Sequence, residues 1–129
     1  MKATASATVV IVEDDSSIRR AMERMLRLSG LAAVFFSSGE ELLEARLPDS
    51  ARVLIIDVQL PGMNGFALRE RLRDNGWLPP VIFMTAFDDE PTRERARNAG
   101  ACGFLSKPFT GDALLAAIAA TAERRARRA

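Results

Sequence analysis

Residues 53–68 read Val-Leu-Ile-Ile-Asp-Val-Gln-Leu-Pro-Gly-Met-Asn-Gly-Phe-Ala-Leu. Four apolar residues, Val53 to Ile56, run without alternation, the pattern of a strand buried on both faces. Asp57 ends the run. Pro61-Gly62 is a turn signal, and Phe66, Leu68 and Leu72 lie within a helix that Asp74-Asn75-Gly76 closes. A strand covered on both faces belongs in a parallel sheet between two layers of helices.

The same alternation continues outward from this stretch. Upstream, Thr8 to Val12 is a second apolar run, followed by Ile18, Met22, Met25 and Leu26 at helical spacing, with Ser29-Gly30 as the stop. Leu31 to Phe36 reads as a strand. Ser38-Gly39-Glu40-Glu41 opens a short helix through Ala45, stopped before Pro48. Downstream, Val81 to Met84 is a strand, Glu90 to Ala99 a helix ended by Gly100, and Cys102 to Leu105 a short strand. A last helix runs from Asp112 to about Arg124, with Leu114, Leu115, Ile118 and Ala122 on one face. Five strands alternating with helices give an α/β fold, a parallel sheet with helices on both faces. The helix from Glu90 to Ala99 has only Ala96 and Ala99 as aliphatic members after Pro91. It is therefore expected to bury little area and to be loosely held.

Composition bounds the function. With 129 residues, 48% of them hydrophobic and 27% charged, the chain fits one soluble domain. No apolar run approaches the roughly 20 residues that span a bilayer, and Met1 to Thr8 lacks the apolar core of a secretory signal. Cys102 is the single cysteine, so no internal disulfide forms and a reducing, cytoplasmic setting is expected. There is no histidine, which excludes His-based catalysis and the commonest zinc sites. A net charge of +1 gives no reason to expect direct nucleic-acid binding; the run Arg124, Arg125, Arg127 and Arg128 reads as a solvated helix end or the start of a linker.

In parallel α/β sheets, ligands sit at the carboxyl ends of the strands. Past those ends come Glu13 and Asp14, then Asp57, then Thr85 and Ala86, then Ser106, Lys107 and Pro108. Three carboxylates, the Thr85 hydroxyl and the Lys107 ammonium thus converge on one rim. Clustered carboxylates repel one another unless a cation joins them. Oxygen ligands without His or Cys favour a hard cation, and few carboxylates with room for water and phosphate suit Mg²⁺. A carboxylate is also a nucleophile toward phosphorus, and phosphoryl transfer needs positioning and charge neutralisation more than covalent help. Taken singly, these residues have blander roles: Asp57 as a turn residue, Glu13 and Asp14 as caps (though Asp15 or Ser16 is the better cap), Thr85 as a strand end, Lys107 as a surface charge, Phe104 as core.

The segments Val12-Glu13-Asp14-Asp15, Asp57 through Gly65, Met84-Thr85-Ala86 and Lys107-Pro108-Phe109 resemble bacterial two-component response regulator receiver domains, and the likeness covers nearly the whole chain. The Phe87–Pro91 segment resembles the FixJ type. The resemblance implies a flavodoxin-like (βα)5 fold with strand order 2-1-3-4-5. It implies one receiver domain over 1–129, with a flexible tail over 1–7 and a basic end over 124–129. It makes Asp57 the acceptor of phosphate from a sensor histidine kinase. Asp14, the Asp57 carboxylate and the Gln59 backbone carbonyl would ligate Mg²⁺, with Glu13 acting through water. Lys107 would pair with the phosphoryl oxygens, Thr85 would move to hydrogen-bond them, and Phe104 would rotate inward after it. The Lys107-Pro108 bond would be cis. The output surface, and a candidate homodimer face, would be the fourth helix, fifth strand and fifth helix, serving a DNA-binding output domain in a longer parent.

Two positions depart from the common pattern, and Gln59 and Phe87, two places after Asp57 and Thr85, sit where members of the family tune dephosphorylation. Glu13 stands for the more frequent Asp, and Phe104 for Tyr. Phe87 is bulky and apolar; it is expected to screen the attacking water and give a fairly long-lived phosphoryl group. Other functions are weaker. A haloacid-dehalogenase-type phosphatase wants a second Asp where Gln59 stands, and no phosphate-binding Gly-x-x-x-x-Gly-Lys-Ser/Thr run exists. Retention of Asp14, Asp57, Thr85 and Lys107 argues against a phosphate-independent module. A free-standing phosphate shuttle is the nearest alternative. The protein is expected to be a switch and not an enzyme acting on outside substrates.

Overall fold

The computed structural model describes residues 8–76 and 78–128. Among these, five strands alternate with five helices: β1 (Thr8–Val12), α1 (Ser16–Leu28), β2 (Ala32–Phe36), α2 (Gly39–Ala45), β3 (Ala51–Asp57), α3 (Gly65–Asp74), β4 (Val81–Thr85), α4 (Glu90–Asn98), β5 (Gly103–Ser106) and α5 (Gly111–Arg128). The strands form one parallel sheet in the order β2-β1-β3-β4-β5, as expected. The expected tail over 1–7 lies outside the described residues, as do the side chains of the basic end over 124–129. No helix among the described residues is long and apolar enough to cross a membrane.

Because side chains alternate along a strand, each apolar run feeds two cores. Val10, Val12, Leu54, Ile56, Val81 and Phe83 face one way, against Leu42 of α2, Leu68 and Leu72 of α3 and Ala96 of α4. Val9, Ile11, Val53, Ile55, Ile82 and Met84 face the other way, against Met22 and Leu26 of α1 and Leu114 and Ile118 of α5. The helical pairs Met22/Leu26, Leu68/Leu72 and Leu114/Ile118 are each four residues apart, so each stacks on one helix face. Alternation is hidden in the sequence because both phases are apolar. α4 buries Ala96 alone among its own residues, as its composition foretold.

The strand ends differ by a residue or two from the apolar runs. β3 extends to Asp57, β4 to Thr85, and β5 is shifted to Gly103–Ser106. The ladder is made by backbone groups, which pair whether the side chain is apolar or not. Thr85 pairs with Ser106, and Val58 N–H donates to Met84 O at 2.8 Å. Asp57, Thr85 and Ser106 are therefore the last rungs of their strands, held by the sheet and not by loops.

Local signals set the loops at that end. Asp15 caps α1, accepting from Ser17 N at 2.8 Å and Ile18 N at 3.1 Å, which leaves Glu13 and Asp14 free for the rim. Asn64 caps α3 through Ala67 N at 2.9 Å. Gly62 takes a φ of 74°, which suits glycine. Gly65 is fixed by close approach: a Cβ there would lie 2.5 Å from Asp57 O and 2.9 Å from Ile56 Cγ2. Gly65→Ala is thus expected to cost about 2–3 kcal/mol, since backbone under Asp57 must shift. Urea denaturation measures this, and a loss below about 0.5 kcal/mol would show that the loop yields freely.

Candidate functional site

β1 is flanked by β2 on one side and β3 on the other, so the chain's connections diverge there. Such a point is where this architecture leaves a crevice at the carboxyl ends. Val12 pairs with Ile56, which sets Glu13 and Asp57 side by side just past that rung. Glu13 and Asp57 are 0% and 3% exposed, while Asp14 is exposed at the mouth. One carboxylate oxygen from each of Glu13, Asp14 and Asp57 lies within 4.8 Å of the other two.

The cation present is the ammonium of Lys107, delivered by the loop after β5. Its Nζ lies 2.8 Å from Asp57 Oδ2 and 2.6 Å from Glu13 Oε1. The bond to Asp57 is a hydrogen bond; Glu13 Oε1 is off-axis and has no hydrogen-bond partner among the described residues. Burial works against the Lys107 charge, but the hydrogen bond to Asp57 and the close negative charges of Asp57 and Glu13 outweigh it and raise its pKa. Burial dominates at Glu13 and pushes its pKa up to about 7, against the lowering pull of Lys107 and the Asp15 N–H. A buried carboxylate with a poorly satisfied oxygen, beside two further carboxylates, is a donor set that a hard divalent cation fits.

The raised Glu13 pKa has a pH signature. The folded state binds this proton more tightly than the unfolded chain, whose value is 4.5, so stability falls as pH rises from about 4.5 through about 7. Urea midpoints in EDTA at about pH 5 and about pH 8 are expected to show this slope, and Glu13→Gln to flatten it. Equal slopes in both proteins would assign the dependence elsewhere.

The remaining expected residues fall around this centre. The Lys107-Pro108 bond is cis. Thr85 is fully buried; its hydroxyl donates to Gln59 Oε1 at 2.8 Å and accepts from Phe87 N at 3.0 Å. Gln59 N donates to Asp57 Oδ1 at 3.0 Å. Phe104 is half-buried, with the Arg93 guanidinium 4.9 Å from its ring centre. Phe87 is 65% exposed, so its ring stands out in solvent in this state. A cavity of about 620 Å³ opens beside Asp57, polar where Asp14 and Lys107 line it and apolar where Ile18, Met22, Met25 and Phe109 do.

Three contacts were not foreseen. Arg19 Nη1 donates to the Glu13 carbonyl at 2.8 Å, bracing the acidic loop from α1. The Gln59 side chain takes the Thr85 hydroxyl as its partner. Asp88 holds Arg93 through Nε at 2.5 Å and Nη2 at 2.8 Å and accepts from the Ser106 hydroxyl. Arg93, then Ser106, hold the Asp88 carboxyl down at about 2. The rim residue Ser106 thus ties β5 to the loop before α4. Asp89 is the α4 cap through Thr92 N at 2.9 Å.

The response regulator receiver domain family matches residues 9–119. Nodulation protein W of Bradyrhizobium diazoefficiens is 41% identical over 123 residues, 95% of this chain and 54% of that protein. Transcriptional regulatory protein FixJ of Azorhizobium caulinodans is 35% identical over 121 residues, 94% of this chain and 57% of that protein. The chain therefore spans just over half the length of these two relatives. The solved structure of response regulator StyR is 40% identical, with a TM-score of 0.81 over 96% of this chain and 65% of that one. A match over nearly the whole sheet, with acidic residues gathered at its carboxyl edge, places the chain in the response regulator receiver domain family, whose members are signalling switches and not enzymes with outside substrates.

Proposed function

We propose that the Asp57 carboxylate accepts a phosphoryl group from the phosphohistidine of a sensor histidine kinase. The observation that carries this reading is the Lys107 ammonium lying 2.8 Å from Asp57 within a cluster of three carboxylates. An Asp57 oxygen attacks phosphorus as the phosphorus–nitrogen bond breaks. The electron pair leaves with the imidazole, and an acyl phosphate remains on Asp57. Lys107 neutralises phosphoryl oxygen charge. Asp14, Asp57 and the Gln59 carbonyl would hold Mg²⁺ directly, with Glu13 acting through water. When bound, Mg²⁺ supplies the charge neutralisation that three anionic side chains and a phosphoryl group require. The half-apolar cavity beside Asp57 is wide enough to admit a side chain that carries the phosphoryl group.

Phosphorylation would then be read by Thr85 moving toward the phosphoryl group and Phe104 turning inward. The readout would reach the face made by α4, β5 and α5. α4 suits a moving element because it buries only Ala96. The names and lengths of the relatives support a parent protein that regulates transcription through a further domain. Phe87, standing out in solvent, would have to fold over the acyl phosphate to slow its hydrolysis.

Incubation with acetyl phosphate and Mg²⁺, followed by intact mass, tests the reading. A stable single phosphoryl addition supports the switch. Continuous release of phosphate without accumulation would instead indicate a hydrolase, and no addition a module that works without phosphate.

A further inference from the structure

Gln59 touches the site twice. Its backbone N–H donates to Asp57 Oδ1 at 3.0 Å, and its side-chain carbonyl accepts the Thr85 hydroxyl at 2.8 Å. A hydroxyl has one proton. Thr85 Oγ1 already accepts from Phe87 N at 3.0 Å, so its proton goes to Gln59. A phosphoryl oxygen on Asp57 has no proton to give and requires that same one. Gln59 and the phosphoryl group therefore compete for the single Thr85 proton.

We propose that Gln59 is a positioning residue, whose carboxamide holds the buried Thr85 hydroxyl in its unphosphorylated arrangement and so sets how readily the switch is thrown. The inference rests on the reading of Asp57 as phosphoacceptor and Thr85 as its reporter. The direction of the exchange follows from charge: a hydrogen bond to an anionic oxygen is stronger than one to a neutral amide carbonyl, so the phosphoryl group wins. Without phosphate, the amide contact is the competing bond that must be broken before Thr85 can move. Its site is favourable for a test, because Gln59 is exposed while Thr85 is 0% exposed. Substituting Gln59 removes the acceptor without opening the core, and Met keeps the length of the side chain without the carbonyl.

The test uses beryllofluoride as a phosphoryl stand-in, with saturating Mg²⁺ and the full chain. Gln59→Met is expected to tighten beryllofluoride binding about 3- to 10-fold, the range of one net hydrogen bond. In a Thr85→Val background the same substitution is expected to change nothing, because the competed proton is absent. Before beryllofluoride is added, the Thr85 methyl resonance in Gln59→Met is expected to lie closer to its bound position than in the unsubstituted protein. Equal tightening in both backgrounds would overturn the proposal, since Gln59 would then act on the phosphoryl site directly. No tightening, with normal binding by the unsubstituted protein, would overturn it too. Failure of the unsubstituted protein to bind beryllofluoride would remove the phosphoacceptor reading itself, and the proposal with it.

Discussion

Asp57→Asn is expected to abolish phosphoryl uptake from acetyl phosphate and Mg²⁺ while leaving the fold intact. The two halves of this expectation have separate causes. An amide oxygen is a poor nucleophile toward phosphorus, and the variant also removes a proposed metal ligand, so both attack and charge neutralisation are lost. The fold survives because residue 57 is held by the backbone ladder of its strand, although the single Asn carbonyl can keep only one of the two bonds Asp57 accepts now, from Gln59 N at 3.0 Å on Oδ1 or from Lys107 Nζ at 2.8 Å on Oδ2. One negative charge also leaves a cluster whose three carboxylates lie within 4.8 Å of one another. The Asp57 charge is among the causes that raise Glu13, so the variant is expected to hold Glu13 ionised to lower pH. In metal-free buffer its urea midpoint is accordingly expected to match or exceed that of the parent. Intact mass and denaturation together check both halves. Undiminished phosphoryl addition in Asp57→Asn would move the acceptor to another residue, and a collapsed midpoint would mean that the Asp57 charge holds the site together.

The sequence carried the framework of this site further than its wiring. Val53 to Ile56 and Val9 to Val12 are apolar in both phases, and only a sheet covered on both faces buries both phases. The cap at Asp15 was legible because Asp before a helical repeat has a local partner three residues on. The rim was legible for the same reason: a polar residue that ends an apolar strand is placed by the strand. Strand order came from family likeness, because burying the same runs is possible in several orders. The missed contacts share a physical cause. Thr85 and Gln59 are 26 residues apart, and Ser106 and Asp88 are 18 apart. Neither spacing belongs to a helix or strand period, so nothing local says which way those side chains turn. The one-residue shift of β5 follows likewise, since Ser106 pairs through its backbone opposite Thr85.

Lys107→Met is expected to destabilise the metal-free protein by about 3–5 kcal/mol at about pH 8, the cost of leaving buried charge uncompensated. Met retains most of the aliphatic stem, so the loss reports the ammonium and not the packing. The Lys107 side chain is 13% exposed and lies between Glu13 and Asp57 side chains exposed by 1% and 4%. Without it two nearly buried carboxylates face each other at the wall of the cavity with no ammonium between them. Glu13 escapes most easily by binding a proton, because burial already brings its pKa up to about 7. The penalty is therefore expected to shrink toward about pH 6, where that proton is available. Mg²⁺ is expected to recover part of the loss at the higher pH by replacing the missing positive charge. Adding Glu13→Gln to Lys107→Met is expected to restore stability relative to Lys107→Met alone, a coupling that only direct interaction between the two side chains produces. A penalty that is the same at both pH values, indifferent to Mg²⁺ and unrelieved by Glu13→Gln would mean that the Lys107 stem, and not its charge, supports this edge of the sheet.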